Sequence, residues 1–299
     1  MAGASLALQA ALRDVAEEID RQFDLLLTVP GDSRAPLYAA MRHATIGSGK
    51  RLRPLLVFAA SRLFGVDRQC AARAATAIEA IHVYSLIHDD LPAMDDDDVR
   101  RGKPTVHKAF DEATAILAGD CLHALAFELL ADPATHADPF VRAELVGCVA
   151  HAAGPAGMGG GQMMDLEAEK SRFDLATVTR LQAMKTGALI ACSVEAGLIL
   201  GRVPPEGRIG LRGYARDLGL AFQIADDLLD VEGDEAAVGK KLRKDAAQGK
   251  ETFVSLLGRD RAREQAGLLV DQAIEHLQNY GDEADLLRDL ARYTLERDR

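Results

Sequence analysis

The sequence predicts an all-α fold, and three observations carry that expectation. Apolar residues recur in steps of three and four along nearly every long segment, which is the spacing of one helix face. Gly, Pro and Asp-Pro breaks punctuate these segments at helix-sized intervals. No segment sustains period-two alternation with turn residues at hairpin spacing, so essentially no sheet is expected.

Leu8, Leu12, Val15, Ile19, Phe23 and Leu26 mark a first amphipathic helix of about five turns, stopped by Pro30-Gly31-Asp32-Ser33. Further helices are expected at about 34–46, 53–64, 68–90, 111–131 and 139–153. They continue at about 160–168, 174–201, 206–232, 251–257, 260–279 and 283–297. The stretches near 70–90, 111–131, 174–201 and 208–231 are rich in Ala, Leu and Ile on nearly all faces, which places them at the centre of a bundle. Residues 157–161 (GMGGG) lack the Lys-Ser/Thr that follows a nucleotide loop and read as a helix break or close-packing site. Residues 233–249 are polar, basic and loop-like, and read as a flexible lid.

With 299 residues, 48% hydrophobic and 27% charged, the chain has the composition of a soluble globular protein with a large core. A net charge of −11 leaves no basic field to recruit nucleic acid. Cys70, Cys121, Cys148 and Cys192 form no C-x-x-C pair and read as core residues of a reduced cytosolic protein. The N-terminal segment lacks a basic leader, and no uninterrupted apolar run reaches the roughly 18 residues of a membrane span. A cytoplasmic protein without stable membrane insertion is expected.

Chemistry is concentrated in two acidic clusters, residues 89–98 (DDLPAMDDDD) and 226–230 (DDLLD). Each follows an apolar helical stretch, so its carboxylates are presented from the end of a buried element. Carboxylates ~4–6 Å apart repel by several kcal/mol at intermediate dielectric, and a partly buried set needs protons or cations to persist. Oxygen-only donors suit hard cations such as Mg²⁺. Asp226 and Asp230 share a helix face, with Asp227 beside them. Asp89 and Asp95 would stand about 120° apart on a regular helix, but Pro92 should end the helix near Leu91 and let the later aspartates turn back.

Basic residues cluster nearby. Lys50, Arg51 and Arg53 precede a helix that Pro54 can begin, a plausible anion site. Arg100, Arg101 and Lys103 follow the first acidic run, and Lys240, Lys241 and Lys244 follow the second. Lys185-Thr186 interrupts an apolar helix, and a lysine there requires an anionic partner. Cations beside metal-binding carboxylates imply a phosphate-bearing substrate. No P-loop or kinase pattern is present.

Together these motifs resemble the trans-isoprenyl diphosphate synthases, and most resemble the bacterial members that form farnesyl diphosphate. The likeness rests on residues 49–54 (GKRLRP), 82–90 (HVYSLIHDD) with Asp95 following, and 100–105 (RRGKPT). Gly160-Gly161-Gln162 with Asp165, Lys185-Thr186-Gly187, and Phe222-Gln223 with Asp226, Asp227 and Asp230 continue it in the family's order. The resemblance implies a single domain over 1–299, a bundle of roughly ten to thirteen helices around a deep cavity, and a homodimer. It implies condensation of isopentenyl diphosphate with dimethylallyl and geranyl diphosphate, in a site holding Mg²⁺, three ions when diphosphate is bound, with Mn²⁺ as a substitute.

Carried over residue by residue, Asp89, Asp95, Asp226 and Asp227 would bind the metal, supported by Asp90 and Asp230. Arg100, Lys185 and Lys240 would grip the allylic diphosphate, with Thr186 and Gln223 near the developing carbocation. Lys50, Arg53, His82 and Arg101 would hold isopentenyl diphosphate. Tyr84, five residues or about 7.5 Å of helix rise before Asp89, would floor the product tunnel beside Ser85. The segment 239–245 is more basic than in the family, and Glu251-Thr252-Phe253 replaces a Ser/Thr-Thr-Tyr. Three other readings share parts of this pattern: a geranylgeranyl diphosphate synthase, a terpene cyclase or head-to-head synthase, and a non-catalytic subunit.

Overall fold

Side-chain caps fix where many of the helices begin. In the computed structural model, which describes residues 4–47, 49–232 and 250–296, α1 (Leu6–Leu26) starts at Ser5, whose Oγ accepts the Leu8 N–H at 3.1 Å. After α2 (Ala35–Thr45) and α3 (Leu52–Leu63), Asp67 caps α4 (Arg68–Asp89) through the amides of Gln69 and Cys70. A short α5 (Val106–Ala109) leads into α6 (Glu112–Ala131), capped by Asp111. Asp138 with Pro139 begins α7 (Pro139–Ala153), and α8 is Met158–Ala168. Asp174 caps α9 (Leu175–Gln182). Then come α10 (Ala188–Leu200) and α11 (Ile209–Glu232), the latter entered through a 3₁₀ turn at Pro205–Arg208. Thr252 and Ser255 form a capping box for α12 (Phe253–Leu257). α13 (Arg259–Glu275) and α14 (Asp285–Glu296) complete the order.

The fold is all-α, as the periodicity predicts. The only strands among the described residues are Val99–Arg100 and Lys103–Pro104, which pair antiparallel. Arg101 and Gly102 turn between them with φ of 52° and 75°, the left-handed pair of a tight hairpin. α4 packs against α3 and α6, α10 against α3 and α7, and α11 against α13. Ile78 and Ile81 on α4, Leu122 on α6 and Leu198 on α10 are fully buried, each side chain contributing roughly 1.5–3 kcal/mol of burial energy.

Two helix expectations need correction. The segment expected as one helix over 174–201 is interrupted by a π-helical stretch at Ala183–Gly187. α6, expected to be apolar-enclosed, leaves Ile116 and Leu117 45% and 53% exposed, because no element among the described residues covers that face. Elsewhere the expected boundaries hold within a few residues, with 3₁₀ turns at the starts of α11 and α14. Cys192 is buried with its Sγ 3.5 Å from that of Cys148, and Cys70, Cys121 and Cys148 pack half-buried against the core. Glu112–Ala131 and Leu175–Leu200 are long and apolar enough to cross a membrane, but charges interrupt both and part of each is packed inside the bundle. The expected lid at 233–249, with Lys240, Lys241 and Lys244, lies outside the described residues.

Candidate active site

At the end of α4 the helix stops at Asp89, three residues before Pro92, and the chain doubles back. The Asp95 N–H donates to the Asp89 carbonyl at 2.8 Å, and the Met94 and Asp96 amides both donate to the Leu91 carbonyl. Asp96 reaches this turn with φ of 48°. The six-residue offset between Asp89 and Asp95 is closed as Pro92 predicts. Asp90 is 3% exposed and accepts the Arg100 guanidinium at 2.7 and 2.6 Å. Burial pushes the Asp89 carboxyl up to about 6; Asp95 and Asp90 add to the rise, while Lys185 and Arg100 oppose it.

The second cluster lies on α11. Asp227 is 3% exposed, and its carboxylate accepts the Gln223 amide and the Phe253 backbone N–H, each at 2.9 Å. Gln223 Oε1 in turn accepts the Thr186 hydroxyl at 3.0 Å. Beside Thr186, Lys185 Nζ lies 2.8 Å from Asp165 Oδ2, the anionic partner its setting requires. Lys250 donates to the same oxygen at 2.9 Å and pairs with Glu169 at 3.2 Å. Burial raises Asp165, but these two ammonium groups outweigh it and hold the carboxyl below its usual range.

The π-helical stretch therefore stands between the two acidic clusters, with Lys185 in the field of Asp89 and Thr186 joined through Gln223 to Asp227. π turns commonly mark functional positions. The glycine run seats this stretch: a Cβ on Gly161 would lie 2.3 Å from the Lys185 nitrogen. The reading of 157–161 as a close-packing site holds, and Gly157 also caps the start of α8.

Basic residues converge around His82, about two helical turns before Asp89 on α4. Gly49, with φ of 87°, lies so near Arg101 that a Cβ there would meet the guanidinium at 2.3 Å. Lys50 and Arg53 flank Arg51, and Arg53 Nε is buried with no hydrogen-bond partner among the described residues. Burial, then Arg53, Arg101, Arg100 and Arg51, keep His82 neutral well below its ordinary pKa. Ser85 donates to the His82 carbonyl at 2.9 Å. Tyr84 packs edge-on to His123 of α6 at 5.0 Å between centroids, with Phe127 5.1 Å beyond His123.

Several contributors carry little or no signal in the sequence. In the sequence Asp165 stands out only as part of a motif, and nothing marks Lys250, Glu79 or the Phe253 amide. Their contacts join residues far apart in the chain, so no spacing announces them. Asp96, Asp98 and His107 also gather ligand atoms within 4.8 Å, although Asp98 already pairs with Lys108 at 2.9 Å. The carboxylates of the two main clusters are all hard oxygen donors, and the raised Asp89 carboxyl is a charge that a cation would relieve. The donor set fits Mg²⁺.

Comparison with known proteins identifies the family. The polyprenyl synthetase family pattern matches residues 34–290. The chain is 44% identical over 271 residues to a farnesyl diphosphate synthase of Escherichia coli, covering 88% of this chain and 90% of the relative. A geranylgeranyl diphosphate synthase of Cyanophora paradoxa is 38% identical, covering 90% of each. A solved FPP/GFPP synthase structure from Zymomonas mobilis superposes with a TM-score of 0.90 at 56% identity, covering 97% of this chain and 99% of the other. The chain belongs to the polyprenyl synthetase family.

Proposed function

We propose that this prenyltransferase condenses isopentenyl diphosphate with dimethylallyl and then geranyl diphosphate to give farnesyl diphosphate. The observation that carries the proposal is the shared π-helical stretch. Through it, one set of polar side chains reaches both aspartate clusters, so both can act on a single diphosphate.

In this reading Asp89, Asp95, Asp226 and Asp227 hold the cation, with Asp90 and Asp230 in support. The family is Mg²⁺-dependent, and Mg²⁺ bound there supplies neutralisation of the diphosphate charge. Arg100 and Lys185 hold the allylic diphosphate with Lys240, and Thr186 and Gln223 present oxygen dipoles towards the allylic carbon as its bond to the diphosphate breaks. Lys50, Arg53, Arg101 and neutral His82 hold isopentenyl diphosphate so that its double bond meets that carbon. Arg53 Nε, without a hydrogen-bond partner among the described residues, supports this, since a buried guanidinium donor gains most from an anionic ligand. The proton lost in the final step goes to the released diphosphate.

The C15 product rests on Tyr84 and on the curated farnesyl diphosphate synthases among the relatives. The Cyanophora relative favours a C20 product as the second reading, because every metal and phosphate motif would serve it equally. The proposal includes one domain over 1–299, a cytoplasmic homodimer, three Mg²⁺ ions with bound diphosphate, and Mn²⁺ as a substitute. Products formed from dimethylallyl and isopentenyl diphosphates, resolved by chromatography with and without Mg²⁺, test it. Farnesyl diphosphate formed only with metal is expected, and condensation surviving complete metal removal would sink the mechanism.

A further inference from the structure

One of the three cations where the basic loop enters α3 is sealed inside the protein. Arg51 is 2% exposed. Its guanidinium donates to Glu79 Oε1 on α4 at 2.8 Å, to Asp20 Oδ1 on α1 at 2.8 Å, and to the Thr45 carbonyl at the end of α2. One planar fork thus ties three helices to the loop, a geometry an ammonium group cannot reproduce. Asp20 Oδ2 also accepts the Gly47 N–H at 2.9 Å, holding the loop at its other end.

The backbone needs this support. Arg51 sits in the left-handed region with φ of 53°, which a non-glycine residue keeps only when its surroundings impose it. Glu79 is itself 2% exposed and lies three residues before His82 on α4, on the same side of the helix. Its charge favours the protonated forms of Arg53 and Arg101, against the burial that lowers both.

We infer that Arg51 and Glu79 are positioning residues: their buried pair locks the loop so that the flanking Lys50 and Arg53 stand ready for the homoallylic diphosphate. Arg51 does not touch that diphosphate. The identity of the ligand rests on the proposed function; the clamp rests on the geometry of the loop.

Steady-state kinetics of the full chain with Mg²⁺, varying each substrate in turn, tests the clamp through Arg51→Lys, which keeps the charge and loses the fork. The expected result is a rise of about tenfold or more in KM for isopentenyl diphosphate, with KM for geranyl diphosphate and kcat within about twofold. Equal shifts in both KM values, a fall in kcat alone, or unchanged kinetics would overturn the clamp, since a merely structural pair has no reason to single out one substrate. Should Arg51→Lys fail to fold, Arg51→Met with Glu79→Gln removes both buried charges together and is read in the same way. Wild-type turnover tests the functional reading separately, and the split between the two KM values tests the clamp.

Discussion

Asp89 concentrates the cost of building this site into one side chain. Its folded pKa of about 6 lies above the ordinary 3.8 because burial, Asp95 and Asp90 disfavour its charge. The folded state therefore binds more protons than the unfolded chain between those values, and its stability falls as pH rises from about 4 through 6. In metal-free protein at pH 7, Asp89→Asn should raise stability by about 1–2 kcal/mol. At pH 4 or below the gain should vanish. Thermal unfolding in chelator across that range checks the sign, and an unchanged melting temperature at pH 7 would contradict it. With Mg²⁺ present the same variant should lose turnover by about 100-fold or more. Tyr84 invites a different measurement. Tyr84→Ala should open the space between α4 and α6 as far as His123 and lengthen the products, and release of only farnesyl diphosphate would count against its role as floor. The acidic clusters were legible because like charges adjacent in sequence are visible without a structure. The pairs Asp165–Lys250 and Arg51–Glu79 were not, because packing alone brings such distant residues together.

At the scale of elements, caps and breakers made most helix boundaries legible: Asp67, Asp111, Asp138 and Asp174 each stand where their α-helices start. The interruption at Ala183–Gly187 was not legible, since Ala-Met-Lys-Thr-Gly contains no proline and reads as helix by propensity. Only the polar Lys-Thr pair within an apolar run marked the place. Its seat against α8 gives the second-motif side of the site its rigidity. Gly161→Ala would put a methyl carbon 2.3 Å from the Lys185 nitrogen and 2.6 Å from its Cα, and backbone atoms cannot swing aside. A loss of about 1–3 kcal/mol is expected, read as a lower melting temperature. Turnover should fall with it as Lys185 and Thr186 shift; a variant with wild-type stability and kinetics would show that α8 is not the seat.

At the scale of the molecule, all-α character and the central placement of α4, α10 and α11 were legible from periodicity, whereas the partial exposure of α6 was not. Periodicity reports how apolar a face is, and cannot say whether its cover comes from the same chain. In the proposed homodimer, a second copy would cover Ile116 and Leu117. Ile116→Asp with Leu117→Asp should therefore halve the mass measured by light scattering, and a wild-type chain that is already monomeric at micromolar concentration would remove the dimer. A last consequence concerns chain length rather than composition. A π-helical stretch accommodates an added residue without breaking the helix on either side, so Ala183–Gly187 takes up one residue between α9 and α10 while keeping them in phase. Deleting one residue there would let a regular helix run through with α10 kept in phase, because the bulge is what absorbs the extra residue. Val194 and Leu198 would stay buried, so a one-residue deletion in this stretch spares the bundle and moves only Lys185 and Thr186, which makes the bulge a device of the site and not of the fold.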